Sequence, residues 1–258
     1  MSNSDTPIRI RTERRGAILV VTIDRPEARN AFDGEATRQM EEAMDLLDGD
    51  STLHIGIITG ANGVFSAGAD LKAVAAGKRW IGKRGGFGLF IKPPVKPLIA
   101  AVEGYAVGGG FELCLACDMV VASREAKLGL PEARVGVVAI GGGLFRLPKR
   151  MPYHVAMELA LTAEIHTADF FHQHGIVNRL VEPGAALDEA LKLAAVVLRN
   201  SPMAVSASKQ ILAKAADWTD EESWAAQRVY SDVAMQSEDA REGMAAFAEK
   251  RPAQWKGR

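Results

Sequence analysis

The sequence predicts an α/β fold, and two features of the chain carry this prediction. Apolar runs of strand length occur at residues 17–23, 55–59 and 97–102, between segments whose apolar residues recur at helical spacing. A strand, a glycine-containing turn and a helix follow one another in that order twice, through turns at residues 60–70 and 104–110. Repetition of this unit is typical of α/β proteins whose turns build the functional site.

The N-terminal elements follow from the same patterns. Residues 8–12 and 17–23 predict an antiparallel strand pair, because both are short, β-rich and separated by a turn. Residues 24–31 predict a loop, and residues 34–47 predict a helix with apolar positions on one face. Residues 55–59 predict a buried strand that ends in a turn cluster.

The chain changes character after Pro152, where glycine becomes sparse and alanine frequent. We therefore predict two parts, a core of residues 1–195 and a helical C-terminal region of residues 196–258. Residues 176–181 are the one strand-like segment in this half. Helical patterns cover residues 155–162, 168–174, 187–198, 202–216 and 221–247.

Composition narrows the class of protein. The chain has 258 residues and a formal net charge of −1, which gives no indication of a nucleic-acid surface. We expect no signal peptide and no membrane span, because no apolar run has the required length. Cys114 and Cys117 lack a second pair of matching spacing for a zinc site, so we expect buried helix residues. Together these features predict a cytoplasmic protein.

The glycine-rich turn at residues 104–110 is a candidate site. Its three consecutive glycines, 108–110, let the backbone approach a ligand closely and open a predicted helix. The N-terminus of a helix presents unpaired N–H groups that bind an anion or a developing negative charge. Glu112 lies in the first turn of this helix. Close helix packing, together with the preference of acids for the helix dipole, explains the same residues equally well.

Two further segments are open to two interpretations. Glu132 lies in a largely apolar stretch, where burial would raise its pKa and suit proton transfer. The alternative is a surface glutamate paired with Arg134. Residues 78–96 contain scattered bases, which we interpret as an exposed loop, and aromatic residues, which fit a mobile wall of an acyl pocket. These aromatics are Trp80, Phe87 and Phe90.

Five segments in order resemble the enoyl-CoA hydratase/isomerase (crotonase) superfamily over essentially the whole chain. Residues 65–72 (FSAGADLK), 104–113 (GYAVGGGFEL) and 130–132 (LPE) resemble its three signatures. Residues 25–31 (RPEARNA) resemble its first CoA-contacting loop. The C-terminal segment, from FAEKR at 247–251 to WKGR at the end, is similar to that of the carnitinyl-CoA dehydratase branch.

The resemblance implies a crotonase-type spiral of ββα units with a helical C-terminal region, assembled as a homotrimer or a dimer of trimers. It implies that residues 1–195 hold the CoA and acyl site and that residues 196–258 serve trimerisation. Backbone N–H groups of Ala69 and Gly109 would hold the thioester carbonyl as an oxyanion hole. Glu112 and Glu132 would be the catalytic acid–base pair.

The resemblance also implies where coenzyme A binds. No cofactor would be bound permanently, because coenzyme A is part of the substrate, and no metal is expected. One departure from the family pattern concerns Ile140, which stands where isomerases and the carnitinyl branch often have an acid. An isoleucine transfers no proton and makes the acyl pocket more apolar. The candidate CoA-binding residues are Glu27, Ala28, Arg29, Ala67, Gly68, Asp70, Leu71 and Lys72.

The implied activity is an enoyl-CoA hydratase, which adds water reversibly across a trans-2 double bond. Glu112 would deprotonate the water, and Glu132 would protonate Cα. The alternatives are a carnitinyl-CoA-type dehydratase, an enoyl-CoA delta isomerase and a non-catalytic acyl-CoA binding protein. We expect no partner other than the acyl-CoA substrate and further copies of the chain, with no nucleic acid and no membrane.

Overall fold

The computed structural model describes residues 7–77 and 81–258, which form two β-sheets and the helices that cover them. The larger sheet has the strand order β1-β2-β3-β4-β6-β9, and the smaller sheet has the order β5-β7-β8. The strands are β1 (Ile10–Arg15), β2 (Ile18–Ile23), β3 (Ile55–Gly60), β4 (Leu98–Val102), β5 (Tyr105–Val107), β6 (Met119–Ser123), β7 (Lys127–Gly129), β8 (Ile165–Thr167) and β9 (Arg179–Val181).

The helices lie between and after these strands, with short 3-10 helices at Pro26–Ala28, Ala61–Gly63, Gly86–Gly88, Pro131–Val135 and Leu147–Lys149. The α-helices are α1 (Gly34–Gly49), α2 (Leu71–Ala75), α3 (Gly109–Ala116), α4 (Gly143–Arg146), α5 (Tyr153–Thr162), α6 (Ala168–Gln173), α7 (Ala186–Val197), α8 (Pro202–Ala215), α9 (Asp220–Ala226), α10 (Arg228–Met235) and α11 (Glu238–Glu249). The mixed α/β architecture and the helical C-terminal region confirm the predicted fold class.

The larger sheet is antiparallel at one edge and parallel elsewhere. β1 pairs antiparallel with β2, with Ile10 opposite Ile23, as the sequence predicts. β2, β3, β4, β6 and β9 then pair in parallel. Parallel strands need crossover connections, and their carboxyl ends meet at one edge of the sheet.

Side chains of the larger sheet alternate between two buried clusters. Leu98, Ala100 and Val102 of β4 face the cluster that includes α1 and α3. Ile99 and Ala101 face the opposite cluster, which α7 covers with buried alanines. Burial of both faces explains why these strands have continuous apolar sequences.

The C-terminal helices differ from the prediction in their division. The segment 221–247 is not one helix but parts of α9, α10 and α11. Thr219 begins α9 with a capping box, and the hydroxyl of Ser237 accepts the Ala240 amide at the start of α11. Within the segment, Ser237 starts a new helix, whereas α9 and α10 meet at Gln227 without a side-chain cap. Within the described residues, no helix combines the length and apolarity needed to cross a bilayer.

Other differences are local. The short strands β5 and β8 and the helix α4 were not expected from the sequence. The predicted boundary between residues 195 and 196 falls within α7, whose alanines pack against the larger sheet. The division of the chain into two parts therefore stays a prediction, and α7 belongs structurally with the sheet.

The structure agrees with only part of the interpretation of the segment 78–96. Residues 78–80, including Trp80, lie outside the described residues. The prediction of an exposed loop is wrong for Arg84, which is buried and binds Asp45 and Asp48 of α1 at 2.7 Å each. A buried guanidinium needs such partners, and they fix this segment to α1.

Candidate active site

The two glycine-containing turns meet because β3 and β4 are parallel neighbours. The chain leaves both strands at the same edge of the sheet, and the two connections then pair with each other. Ser66 bridges Ala106 in parallel, with the Ser66 amide donating to the Tyr105 carbonyl at 2.8 Å. Residues 65–72 and 104–113 are thus side by side.

The amides of Ala69 and Gly109 lie on this junction. Phe32 bridges Ala69 in parallel through bonds to Gly68 O and Asp70 N. In such a bridge the central residue, here Ala69, points its own N–H away from the partner strand. A Cβ built on Gly68 would lie 2.9 Å from the Gly109 nitrogen, so the residue before Ala69 packs directly against the Gly109 amide. Gly109 begins α3, where helical N–H groups lack intrahelical acceptors.

A large apolar cavity opens beside these amides. Its volume is about 930 Å³, enough for a large part of an acyl-CoA thioester. Ala69, Gly109, Glu112 and Glu132 all line it. Rings from three phenylalanines form one wall, because Phe87 stacks on Phe32 at 4.1 Å and on Phe90 at 4.8 Å between centroids.

Glu112 is a buried carboxyl held by backbone. It lies in the first turn of α3 and is 4% exposed. Its Oε1 accepts the Gly143 amide at 2.9 Å. Burial raises the pKa of Glu112 above its usual value, and the hydrogen bonds from Gly143 and Gly141 and the charge of Arg146 oppose only part of this rise. These donors stabilise the ionised form of a carboxyl that burial would otherwise neutralise.

Glu132 faces the same cavity with different surroundings. It lies in the 3-10 helix Pro131–Val135, and its Oε2 is buried without a hydrogen-bond partner among the described residues. A Cβ on Gly108 would lie 3.1 Å from its Oε1, which places the carboxyl beside the first glycine of the turn. Gly108 itself has φ +58°, a conformation that favours glycine. Burial, and to a lesser degree the charge of Glu112, raises the pKa of Glu132 to about 7.

The two alternatives left open for Glu132 are now distinguished by geometry. Arg134 lies 3.8 Å from Glu164, and Glu132 is not its ion-pair partner within the described chain. Both glutamates line the same cavity, and Gly108, which lies beside the Glu132 carboxyl, accepts the Glu112 amide at 3.0 Å. Burial raises the pKa of both carboxyls, and Glu112 has backbone donors and a nearby cation that oppose this rise, which favours a base role for Glu112 and an acid role for Glu132.

Comparison with known proteins identifies the family. Residues 13–258 match the enoyl-CoA hydratase/isomerase family. The chain belongs to this family. A carnitinyl-CoA dehydratase from Salmonella arizonae is 43% identical, over 96% of this chain and 98% of that protein.

Solved structures agree with this assignment. An enoyl-CoA hydratase from Mycobacterium tuberculosis superposes with a TM-score of 0.94 at 47% identity, over 97% of this chain and 99% of that one. A carnitinyl-CoA hydratase from Mycobacterium avium gives a TM-score of 0.77 at 40% identity, over 97% and 99%. The crotonase-type fold expected from the five sequence segments is therefore confirmed, and both kinds of relative are similar over nearly the whole chain.

The candidate CoA-contacting residues of the family occupy three different settings. Ala67 and Leu71 line the large cavity. Asp70 and Lys72 line a smaller adjoining cavity of about 460 Å³. Glu27, Ala28, Arg29 and Gly68 line neither of these two cavities. Their contact with coenzyme A stays a prediction.

Asp70 also has a structural role. Its carboxylate accepts the Lys72 and Ala73 amides at the start of α2 and binds Arg25 at 2.7 Å. These contacts lower the pKa of Asp70, with the Arg25 hydrogen bond as the largest cause. The residue fixes the loop 25–31 to the turn 65–72, which orients the backbone of both segments toward the cavities.

Several residues around Glu112 were not assigned a role from the sequence. They are the glycines at 141–143 and Arg146, all near the Glu112 carboxyl or its supporting loop. A second run of three glycines, 141–143, before an apolar helical segment was the available signal. Cys114 and Cys117 are free and buried, as the sequence predicts for helix residues. Burial raises the pKa of both thiols.

Proposed function

We propose that the protein is an enoyl-CoA hydratase that adds water across the trans-2 double bond of an enoyl-CoA thioester. The observation that carries this proposal is the convergence of Glu112 and Glu132 on one apolar cavity beside the Ala69 and Gly109 amides. Family membership and similarity to solved enoyl-CoA hydratases support it. Coenzyme A enters as part of the substrate.

The proton transfers follow from the different surroundings of the two carboxyls. The Glu112 carboxylate orients a water and takes its proton as the oxygen bonds to Cβ. Glu132, protonated near pH 7, gives its proton to Cα. The proton on Glu112 then returns to Glu132, so the net reaction adds H and OH to the double bond. A positioned carboxyl contributes roughly 10²–10⁴ to such a rate.

The thioester oxygen gains negative charge when water adds to Cβ. We assign its stabilisation to the N–H groups of Ala69 and Gly109, and support comes from the packing of the two turns, in which Gly68 lies against the Gly109 amide. Both donors belong to rigid backbone and need no reorganisation during the reaction. Loss of one such donor costs about 10²–10³ in rate.

Hydration of crotonyl-CoA to 3-hydroxybutyryl-CoA tests the proposal. We expect Glu112→Gln and Glu132→Gln each to lose most of the turnover while binding CoA thioester with affinity close to that of the unmodified protein. Glu41→Gln is the matched control, because Glu41 is a buried glutamate that accepts a backbone amide, that of Arg84, at 2.8 Å outside the cavity. The control should keep its turnover.

Three outcomes would contradict the hydratase assignment. Unchanged turnover in both cavity variants would remove the two-carboxyl mechanism. Double-bond migration without hydration would indicate an isomerase. Tight binding of crotonyl-CoA with no turnover of any enoyl-CoA would indicate an acyl-CoA binding protein.

A carnitinyl-CoA-type dehydration is the second candidate, favoured by the curated relatives of that name at 40–43% identity. It would use the same carboxyls in reverse, with Glu132 as base and Glu112 as acid. Ile140 lines the cavity where that branch often has an acid, and it leaves an apolar wall with Val137 and Val138. We therefore expect a higher kcat/KM for 3-hydroxybutyryl-CoA than for carnitinyl-CoA, measured as dehydration under identical conditions.

Assembly and location complete the proposal. We propose a cytoplasmic homotrimer or dimer of trimers, built through the helical C-terminal region. Support comes from apolar side chains that this region exposes, since large exposed apolar patches mark interaction sites. Light scattering after size-exclusion chromatography should give the mass of three or six protomers, and a monomer would contradict it. The exposed side chains include Leu212, Trp224, Val229, Val233, Met235 and Phe247.

A further inference from the structure

The second glycine run, residues 141–143, encloses the carboxyl of Glu112. The Gly143 amide donates to Glu112 Oε1 at 2.9 Å. A Cβ on Gly141 would lie 2.6 Å from Glu112 Oε2 and 2.4 Å from the Phe90 ring. The position of the carboxyl therefore depends on where this run is held relative to Phe90.

Arg146 holds the run in that place. The guanidinium extends back from α4, and its Nη1 donates to the Gly141 carbonyl at 2.9 Å. Its Nη2 donates to the Phe90 carbonyl. One side chain thus joins the glycine run to the Phe90 segment, on both sides of Glu112.

The lack of a side chain at Gly142 leaves room for this guanidinium. Gly142 has φ +103°, and a Cβ there would lie 2.1 Å from Arg146 Nη1. A side chain at residue 142 and the observed guanidinium position are therefore incompatible. Arg146 is largely buried, which is costly for a cation, and the carboxylate whose charge acts on it is Glu112.

We propose that Arg146 is a positioning residue for Glu112, acting through the carbonyls of Gly141 and Phe90 and through its positive charge near the carboxylate. The clamp fixes the Gly143 amide that holds Glu112 toward the cavity. The charge favours the ionised form that a base requires. The consequence for turnover rests on the proposed hydratase function, whereas the consequence for Glu112 itself does not.

The ionisable groups near this pair lie on several elements. Arg146 on α4 acts on Glu112, and Glu112 acts on Glu132 on the 3-10 helix Pro131–Val135. Arg150 and Cys117 act on Arg146. Asp33 and Arg134 also line the cavity. Removal of Arg146 therefore removes the cation that acts directly on Glu112.

The test is the titration of Glu112 in the full-length protein with and without Arg146. Infrared difference spectra follow the carboxyl, and subtraction of the corresponding Glu112→Gln spectra assigns its band. We expect Arg146→Met to move the Glu112 titration to higher pH. In crotonyl-CoA hydration, kcat should fall by ~10–100-fold with a smaller change in KM, since misplacement of a catalytic group by about 1 Å costs ~10²-fold.

Two further variants distinguish the effect of the Arg146 charge from that of its two carbonyl contacts, and both of these from a general loss of stability. Arg146→Lys keeps the charge but lacks the fork that reaches two carbonyls, so the Glu112 titration should stay close to that of the unmodified protein while kcat falls. Arg150→Met is the matched control, because Arg150 is also an arginine that donates to a backbone carbonyl, that of Leu115, outside the cavity. It should leave the Glu112 titration in place.

Gly142→Ala provides a second route if Arg146→Met does not fold. Its Cβ displaces the guanidinium, so it should reproduce the upward shift of the Glu112 titration. Gly184→Ala controls for backbone strain alone, because Gly184 has φ +86° and open space around its Cβ. The proposal would be overturned if the Glu112 titration did not move in Arg146→Met. If Arg146→Met does not fold, an unmoved titration in Gly142→Ala would overturn it instead. A shift of the same size in Arg150→Met would also overturn it. Absence of enoyl-CoA turnover in the unmodified protein would overturn the hydratase assignment. The Glu112 titration would still test the positioning role of Arg146.

Discussion

Glu132→Gln should stabilise the protein at alkaline pH while it abolishes most of the activity. The carboxyl has a pKa of about 7 in the folded protein, against an ordinary value of 4.5, because burial disfavours its charge. Below pH ~4.5 the group is protonated in the folded and unfolded states alike, and the burial carries no ionisation cost. Between pH ~4.5 and ~7 the folded state binds more protons, so stability falls as pH rises.

The size of the effect follows from this shift. At about 1.4 kcal/mol per pKa unit, a fully buried carboxyl would lose ~3 kcal/mol above pH 7. Only one oxygen of Glu132 is fully buried, and water screens the rest, so we expect ~1–2 kcal/mol. A glutamine of the same shape carries no charge and avoids this cost at every pH.

Urea unfolding at pH 5 and pH 8 measures the difference at fixed protein concentration. Glu132→Gln should gain ~1–2 kcal/mol over the unmodified protein when the pH changes from 5 to 8. Glu125→Gln, on an exposed turn away from the cavity, controls for loss of one negative charge. If the free energy of unfolding of Glu132→Gln differed from that of the unmodified protein by the same amount at pH 5 and pH 8, the argument that burial disfavours the charged form of Glu132 would be refuted.

Three further predictions test other parts of the structure. Arg84→Met should lower the free energy of unfolding by about 3 kcal/mol, measured in urea, because it leaves two aspartates of α1 without their buried partner; an unchanged midpoint would contradict this. Phe87→Ala should raise kcat/KM for long enoyl-CoA substrates relative to crotonyl-CoA, because it removes the central ring of the cavity wall; a constant ratio would argue against that wall. Cys114 and Cys117 should react with a thiol reagent only after unfolding, since both are buried; fast reaction of the native protein would count against it.

Much of the fold was predictable because its strands are buried on both faces. A continuous apolar run such as 97–102 has few alternatives to a central strand when glycine turns follow it. The short strands β5 and β8 contain three residues each, which is too few for a periodic signal. The division of 221–247 gave no comparable signal, because Ser237 alone caps α11 and the break between α9 and α10 at Gln227 has no side-chain cap.

The candidate site was predictable where one residue type carries the chemistry. Glu112 and Glu132 were assigned from their motifs, and both line the cavity. The groups that hold these two carboxyls in place were not predictable, because they are backbone groups and residues distant in sequence. Arg84 shows the same limit, since a base in an apparently polar loop is buried against two acids 36–39 residues earlier.

The different surroundings of the two buried carboxyls also determine the pH dependence that we expect for the reaction. Hydration needs Glu112 ionised and Glu132 protonated, and dehydration needs the reverse distribution of the same single proton. Both directions therefore require the singly protonated pair, whose titration belongs to the pair rather than to either residue. We expect kcat/KM to fall above pH ~7, where Glu132 loses its proton, and to do so equally for hydration of crotonyl-CoA and dehydration of 3-hydroxybutyryl-CoA. A rate that keeps rising through pH 9 in either direction would show that no protonated carboxyl takes part.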